Sequence, residues 1–294
     1  MSNLFCSNWV LQSRSGSHIL VQSDAEPRSG TWVLPLPFNT GAEQEDIMAD
    51  IRNSNVRGAT NANAGVAYDE GLRAYMLRVY NIMALGLGIT GLAAYGAFNL
   101  AIADGQLTAF GNLIYASPFK WVVMLAPLGL VFFISARINK MSVSAAQTTF
   151  WIYAGLMGLS LSTIFLIYTG TSIVQTFFVT AAAFGALSLY GYTTKRNLSA
   201  MGSFLMMGLF GLIIAMVVNI FLQSSMMQFV ISAGGVLIFA GLTAYDTQSI
   251  KDMYYEVEGN ETLAGRAAIM GALRLYLDFI NLFMFLLHFL GNRE

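Results

Sequence analysis

Cysteine and histidine are almost missing from this chain of 294 residues: Cys6 is the single thiol, and His18 and His288 are the two imidazoles. No disulfide can form within one copy, and these groups are too few for a structural zinc or an iron–sulfur cluster. No cofactor is expected. Charge is scarce as well, at 11% of residues against about 25% in soluble domains. The net charge of −1 supplies no basic field to attract nucleic acid. Residues 1–22 have no basic start followed by an apolar core, so they do not read as a signal peptide.

What the chain has instead is apolar length. Hydrophobic residues make up 56% of it, too many for a molecule that must cover itself with polar groups, so lipid is the expected solvent and partner. A window of about 19 residues finds apolar stretches at 79–103, 119–137, 147–168, 172–192, 203–222, 228–246 and 268–290. Each is long enough to cross a hydrocarbon core about 30 Å thick, which predicts an all-α integral membrane protein with seven transmembrane helices. The links YTGTS (168–172) and LQSSMMQ (222–228) predict tight antiparallel hairpins, whereas 104–118 and the charged 247–267 read as longer loops.

Lysine and arginine set orientation in membranes. Arg73, Arg78, Arg137, Lys140, Lys195, Arg196, Lys251 and Arg266 fall on the side of the N-terminus, and Lys120 and Arg293 on the other. This asymmetry predicts a cytoplasmic N-terminus. Residues 1–70, rich in Ser, Asn, Gly and scattered charge without a sustained period, read as a disordered tail, and 71–294 as the seven-helix domain. From Met48 onward the sequence resembles the start of a membrane protein, so 1–47 is read as an upstream, non-native extension.

Chemistry concentrates in the last apolar run, GALRLYLDFINLFMFLLHFL (271–290). A charged side chain at the bilayer centre costs about 2.5–3.5 kcal/mol even on the insertion scale, so Asp278 calls for a partner or a function. Arg274, Asp278, Asn281, Phe285 and His288 follow one another at spacings of 4, 3, 4 and 3, one stripe of a helix. That stripe has to face protein or water, which predicts a seventh helix enclosed by the others. The competing interpretation is a structural ion pair between Arg274 and Asp278, or a re-entrant segment. A second carboxylate, Asp246 in TAYDTQ (243–248), lies at the end of the sixth apolar run, and Arg137 in FFISARINK (132–140) ends the second. Topology brings all three toward the same half of the membrane. GLGITG (86–91) matches a dinucleotide-binding fingerprint but lies inside an apolar span with no strand before it. Close helix packing is the better role for it, as for Gly155 with Gly158, Gly208 with Gly211 and Gly234 with Gly235.

The pattern LYLDFINLF (275–283), with TAYDTQ, GLSLSTIF (158–165) and ALSLYGYTTKRNLS (186–199), resembles the Bax inhibitor-1 family, in its bacterial branch, over residues 68–294. The resemblance implies a seven-helix fold with the last helix central, in a bacterial inner membrane, and a pH-dependent calcium leak. It further implies Asp246 and Asp278 as the proton-sensing pair and Arg137 as a latch on one of them. Arg274 departs from that pattern.

Physical argument supports a switch here. Two carboxylates within hydrogen-bond reach cannot both ionise cheaply. With a proton shared they hold each other, and with it lost Arg137 is able to take Asp246 instead. Calcium prefers six to eight oxygen ligands. Asp246 and Asp278 with Asn281 and water fit a transient metal site rather than a storage cage. Two alternatives belong to other classes. A non-conducting modulator of a membrane-bound quality-control protease would bind through the tail or 247–267. An intramembrane aspartyl protease fits Tyr245–Asp246 but not LYLD (275–278), where such enzymes carry GxGD, so no enzymatic activity is expected.

Overall fold

The computed structural model describes the backbone of residues 41–292 and the side chains of residues 70–292. Two compact units are present, Met1–Gly58 and Ala59–Glu294, and every span belongs to the second. Residues 1–40 of the expected tail lie outside the described residues. Helix α1 (Gly41–Ala101) begins within the stretch that composition assigns to the tail. No proline lies between Pro37 and Pro118, so nothing of that kind interrupts the helix.

The chain is an all-α membrane protein with seven helices long and apolar enough to span a bilayer. The first span is Glu70–Ala101 of α1. A two-stranded antiparallel hairpin follows, β1 (Ile102–Ala103) and β2 (Gln106–Leu107). Asp104 and Gly105 turn it at φ of 51° and 75°, the left-handed backbone that a two-residue hairpin requires. Then come α2 (Lys120–Arg137), α3 (Val143–Leu161), α4 (Gly170–Thr193), α5 (Ser199–Leu222), α6 (Ser225–Val257) and α7 (Glu261–Leu290).

Local chemistry starts and stops these helices. Ser142, Thr169, Ser224 and Asn260 each accept a hydrogen bond from the amide three residues on, which satisfies a donor that a helix start leaves open. The α3–α4 and α5–α6 links are short, as their sequences imply, and Gln223 ends α5 at φ 50°.

The link between α6 and α7 corrects the sequence reading. Residues 247–267 are almost all helix: α6 runs to Val257, α7 starts at Glu261, and only Glu258–Asn260 separate them. Asp246 therefore lies well inside α6 rather than at its end. Hydropathy fell because Lys251, Asp252 and Glu256 appear, but Thr247 and Ile250 remain fully buried, so the helix keeps one packed face beyond the apolar run.

Helix α7 is the centre. In its most apolar window 61% of residues are buried, against 33% or less for each of the other six spans. It packs on α6, α4 and α3. Phe279 and Phe283 meet Phe177 of α4 edge-on, Tyr276 meets Phe150 and Tyr153 of α3, and Phe285 stacks on Phe239 of α6. Thr90 ties α1 to the same place, its hydroxyl 2.6 Å from that of Tyr276 and 2.9 Å from the Ala154 carbonyl of α3. Helix α5 is the opposite case, with 6% of its window buried.

Glycine pairing is only half as expected. A Cβ at Gly158 would run into the Thr90 carbonyl and one at Gly235 into the Phe285 ring, yet Gly155 and Gly211 face open space. In GLGITG, Gly86 lies against Phe150 while Gly88 and Gly91 touch nothing. Residues three apart share a helix face, but two helices that cross approach closely over only about one turn, so Gly158 and Gly208 meet a neighbour while Gly155 and Gly211 do not.

Candidate functional site

Asp246 from α6 and Asp278 from α7 are hydrogen-bonded side chain to side chain. Asp278 is 4% exposed and Asp246 partly buried. Asp278 stands at the eighteenth of the thirty residues of α7, so a rise of 1.5 Å per residue sets it well away from either end. A carboxyl–carboxyl hydrogen bond needs one proton, since two bare carboxylates repel. The other oxygen of Asp278, Oδ2, is buried and has no hydrogen-bond partner among the described residues. One atom of the pair is thus satisfied only by its electrostatic surroundings.

The cation in those surroundings is Arg274, one turn before Asp278, whose charge acts on both carboxyls and on Tyr75 of α1. It is half-buried and forms no ion pair with any described residue. Arg274, Asp246, Asp278 and Asn281 line one cavity of about 360 Å³. Its remaining wall is apolar and comes largely from α5, through Met206, Leu209, Leu212, Ile213 and Met216. Asn281 donates its amide to the Leu277 carbonyl at 2.8 Å. This leaves the site an amphipathic chamber: three charged groups on one side, hydrocarbon on the other.

Two of the residues named from sequence lie elsewhere. Arg137 ends α2 exposed, outside the cavity, with no hydrogen bond or ion pair to a described residue. His288 is exposed near the end of α7, its Nδ1 2.6 Å from the Met284 carbonyl and its ring edge-on to Tyr168. Phe285, by contrast, joins the cavity lining. Among the described residues no group of three or more His, Cys, Asp or Glu side chains is assembled to hold a metal. The oxygens offered by Asp246, Asp278 and Asn281 fall short of the six to eight that calcium takes.

Sequence reasoning missed what holds α6 in place beside the pair. A Cβ on Gly191 of α4 would strike the Ala244 carbonyl, so the two backbones touch two residues before Asp246. Ser188, one turn earlier, meets Thr247 at 2.9 Å, and Lys251 donates to the Tyr192 carbonyl at 3.0 Å. The small residues of ALSLYGY (186–192) were the visible signal. At the same end of the bundle Arg266 donates to the Asn139 carbonyl at 2.9 Å, fixing the start of α7 to the end of α2.

Comparison with known proteins agrees with this architecture. Residues 72–294 match the family model described as inhibitor of apoptosis-promoting Bax1. An uncharacterized protein of Rickettsia prowazekii is 50% identical over 235 residues, 80% of this chain and 96% of the relative. The inner membrane protein YbhL of Escherichia coli is 45% identical over 225 residues, 76% of this chain and 94% of the relative. An uncharacterized membrane protein of Streptococcus pyogenes is 35% identical over 226 residues, 77% and 96%.

Proposed function

The chain belongs to the Bax inhibitor-1 family of membrane proteins, and on that premise we propose that it is a pH-sensitive cation leak, passing calcium, in which Asp246 and Asp278 form the switch. The observation that carries this reading is the hydrogen bond between two carboxyls from consecutive spans, set beside a cavity inside the bundle. It is not an enzyme on this reading, and calcium is the passing ion rather than a resident cofactor.

Charge counting gives the switch its direction. With one proton between them the aspartates carry a single negative charge, which Arg274 balances. With that proton gone the pair carries two, and the uncompensated charge attracts a second cation. Arg137, at the end of α2, is the group for that role: drawn onto Asp246, it ties α2 to α6 and closes the path. A local protonation event then biases an element with two arrangements. Flux is greater at acidic than at alkaline pH. The lysine and arginine asymmetry supports a cytoplasmic N-terminus, and the inner-membrane relative supports a bacterial inner membrane.

Reconstitution into calcium-dye-loaded liposomes across pH 6–8 tests the proposal. Calcium entry with a step between those limits is the expected result. Silence at every pH would end it and favour a modulator of a membrane-bound protease. That reading draws its support from the exposed acidic patch of Asp252, Glu256, Glu258 and Glu261, a surface for a partner rather than an ion path.

A further inference from the structure

On the side of the bundle where α1 meets α4, a groove of about 500 Å³ lies between Leu77 and Tyr80 of one helix and Phe184 and Leu189 of the other. It is distinct from the chamber holding the aspartates, and its size is that of a small-molecule site. Gly185 lines it, and a Cβ there would meet nothing within 4 Å, so the backbone at this position is open to the groove. Glycine inside a helix is destabilising relative to alanine, and no close backbone approach requires it at this position.

The floor of the groove is chemically closed. Tyr80 and Ser188 hydroxyls are 2.5 Å apart, Ser188 is 2.9 Å from Thr247, and Thr247 donates to the Thr243 carbonyl at 2.8 Å. Each hydroxyl is used by the next, so the floor asks for no further hydrogen bond and accepts hydrocarbon. Leu77 and Leu189, 50% and 63% exposed, form rims that face lipid. The end of the groove differs. Arg73 lies there, in the first turn of a span that starts at Glu70, the depth of headgroups. It is exposed and makes no hydrogen bond or ion pair with a described residue. Opposite it stands Tyr192, carrying the Lys251 ammonium 5.4 Å above its ring. The nearest acid along α1 is Glu70, which does not line the groove.

We propose that this groove holds one anionic phospholipid, its phosphate on Arg73 and one acyl chain along Gly185 between α1 and α4. A guanidinium takes phosphate oxygens as a fork, and basic pockets between transmembrane helices select anionic headgroups. The Arg73 guanidinium at that end of the groove disfavours a zwitterionic headgroup, whose ammonium it repels. The inference is independent of any ion flux.

The test is native mass spectrometry of the full chain released from mixed phosphatidylglycerol and phosphatidylcholine micelles. Wild type retains one phosphatidylglycerol in preference to phosphatidylcholine. Arg73→Gln lowers that preference about fivefold, the effect of one cation on an anionic lipid. Gly185→Leu, whose Cβ meets nothing within 4 Å, projects a branched side chain across the acyl path and removes retention of both lipids. Lys120→Gln, at the opposite end of the bundle and 5.9 Å over its own Trp121 ring, changes nothing. Equal retention of the two lipids by wild type, or unaltered retention in either Arg73→Gln or Gly185→Leu, overturns the proposal. Variants are compared at equal circular dichroism and elution volume, so loss of fold is not mistaken for loss of lipid.

Discussion

Asp278 and Asp246 hold one another across the α6–α7 interface, but unequally: Asp278 is 4% exposed with one oxygen unpartnered, while Asp246 is only partly buried. Water is able to replace a partner for Asp246 and has little access to Asp278. Asp278→Asn is therefore expected to flatten the pH dependence of calcium flux more completely than Asp246→Asn. The ratio of flux at pH 6 to flux at pH 8 in dye-loaded liposomes measures this. A wild-type ratio in both variants would end the aspartate-pair mechanism.

Arg137 is free in the arrangement where the aspartates bind each other, and its proposed partner appears only when their proton leaves. Arg137→Ala should then raise flux at pH 8 and leave flux at pH 6 unchanged. Arg137→Lys, which lacks the planar fork, restores closure only in part. Equal low flux at pH 8 from equal amounts of inserted wild type and both variants would assign Arg137 to membrane anchoring instead.

Arg274 is the positive charge inside the cavity, and a cation passing there is repelled by it. Arg274→Gln removes that repulsion but also the charge that balances the singly protonated pair, so Arg137 is drawn onto Asp246 at pH 6 as well and calcium flux there should fall toward its value at pH 8. If flux at pH 6 is unaltered, Arg274 does not balance the pair.

Histidine is the side chain most often responsible for pH sensing near neutrality. His288 is exposed at the end of α7, bonded back onto its own helix. His288→Ala is expected to keep the wild-type pH profile. A shifted midpoint in that variant would move the sensor away from the aspartates.

Packing near the site rests on one glycine. Gly191→Ala drives a methyl into the Ala244 carbonyl, and overpacking of this kind costs about 1–3 kcal/mol. Gly155→Ala meets open space and should be neutral or stabilising by up to about 1 kcal/mol, since glycine is the poorer helix former. Thermal unfolding in detergent separates the two, and equal midpoints would falsify the close contact of α4 with α6.

Sequence by itself determined the solvent, the number of spans and the identity of the central helix. Those follow from apolar length against bilayer thickness, and from a polar stripe that lipid cannot satisfy. It also marked Asp246 and Asp278, because a carboxylate inside an apolar run stands out wherever the rest of the chain lies. Tertiary structure decided the remainder. Hydropathy ended α6 at Asp246, whereas packing of Thr247 and Ile250 carries the helix to Val257. Spacing grouped His288 with Asp278, yet His288 lies fourteen residues beyond Arg274, and by then the stripe has left the cavity: Arg274, Asp278, Asn281 and Phe285 line it and His288 does not. No one-dimensional pattern shows that α5 supplies the apolar wall, that Gly191 rather than Gly155 is in contact, or that Arg137 stands apart from the carboxyls. Those are relations between helices far apart in sequence, fixed by which faces meet when seven helices bury their small and polar residues together.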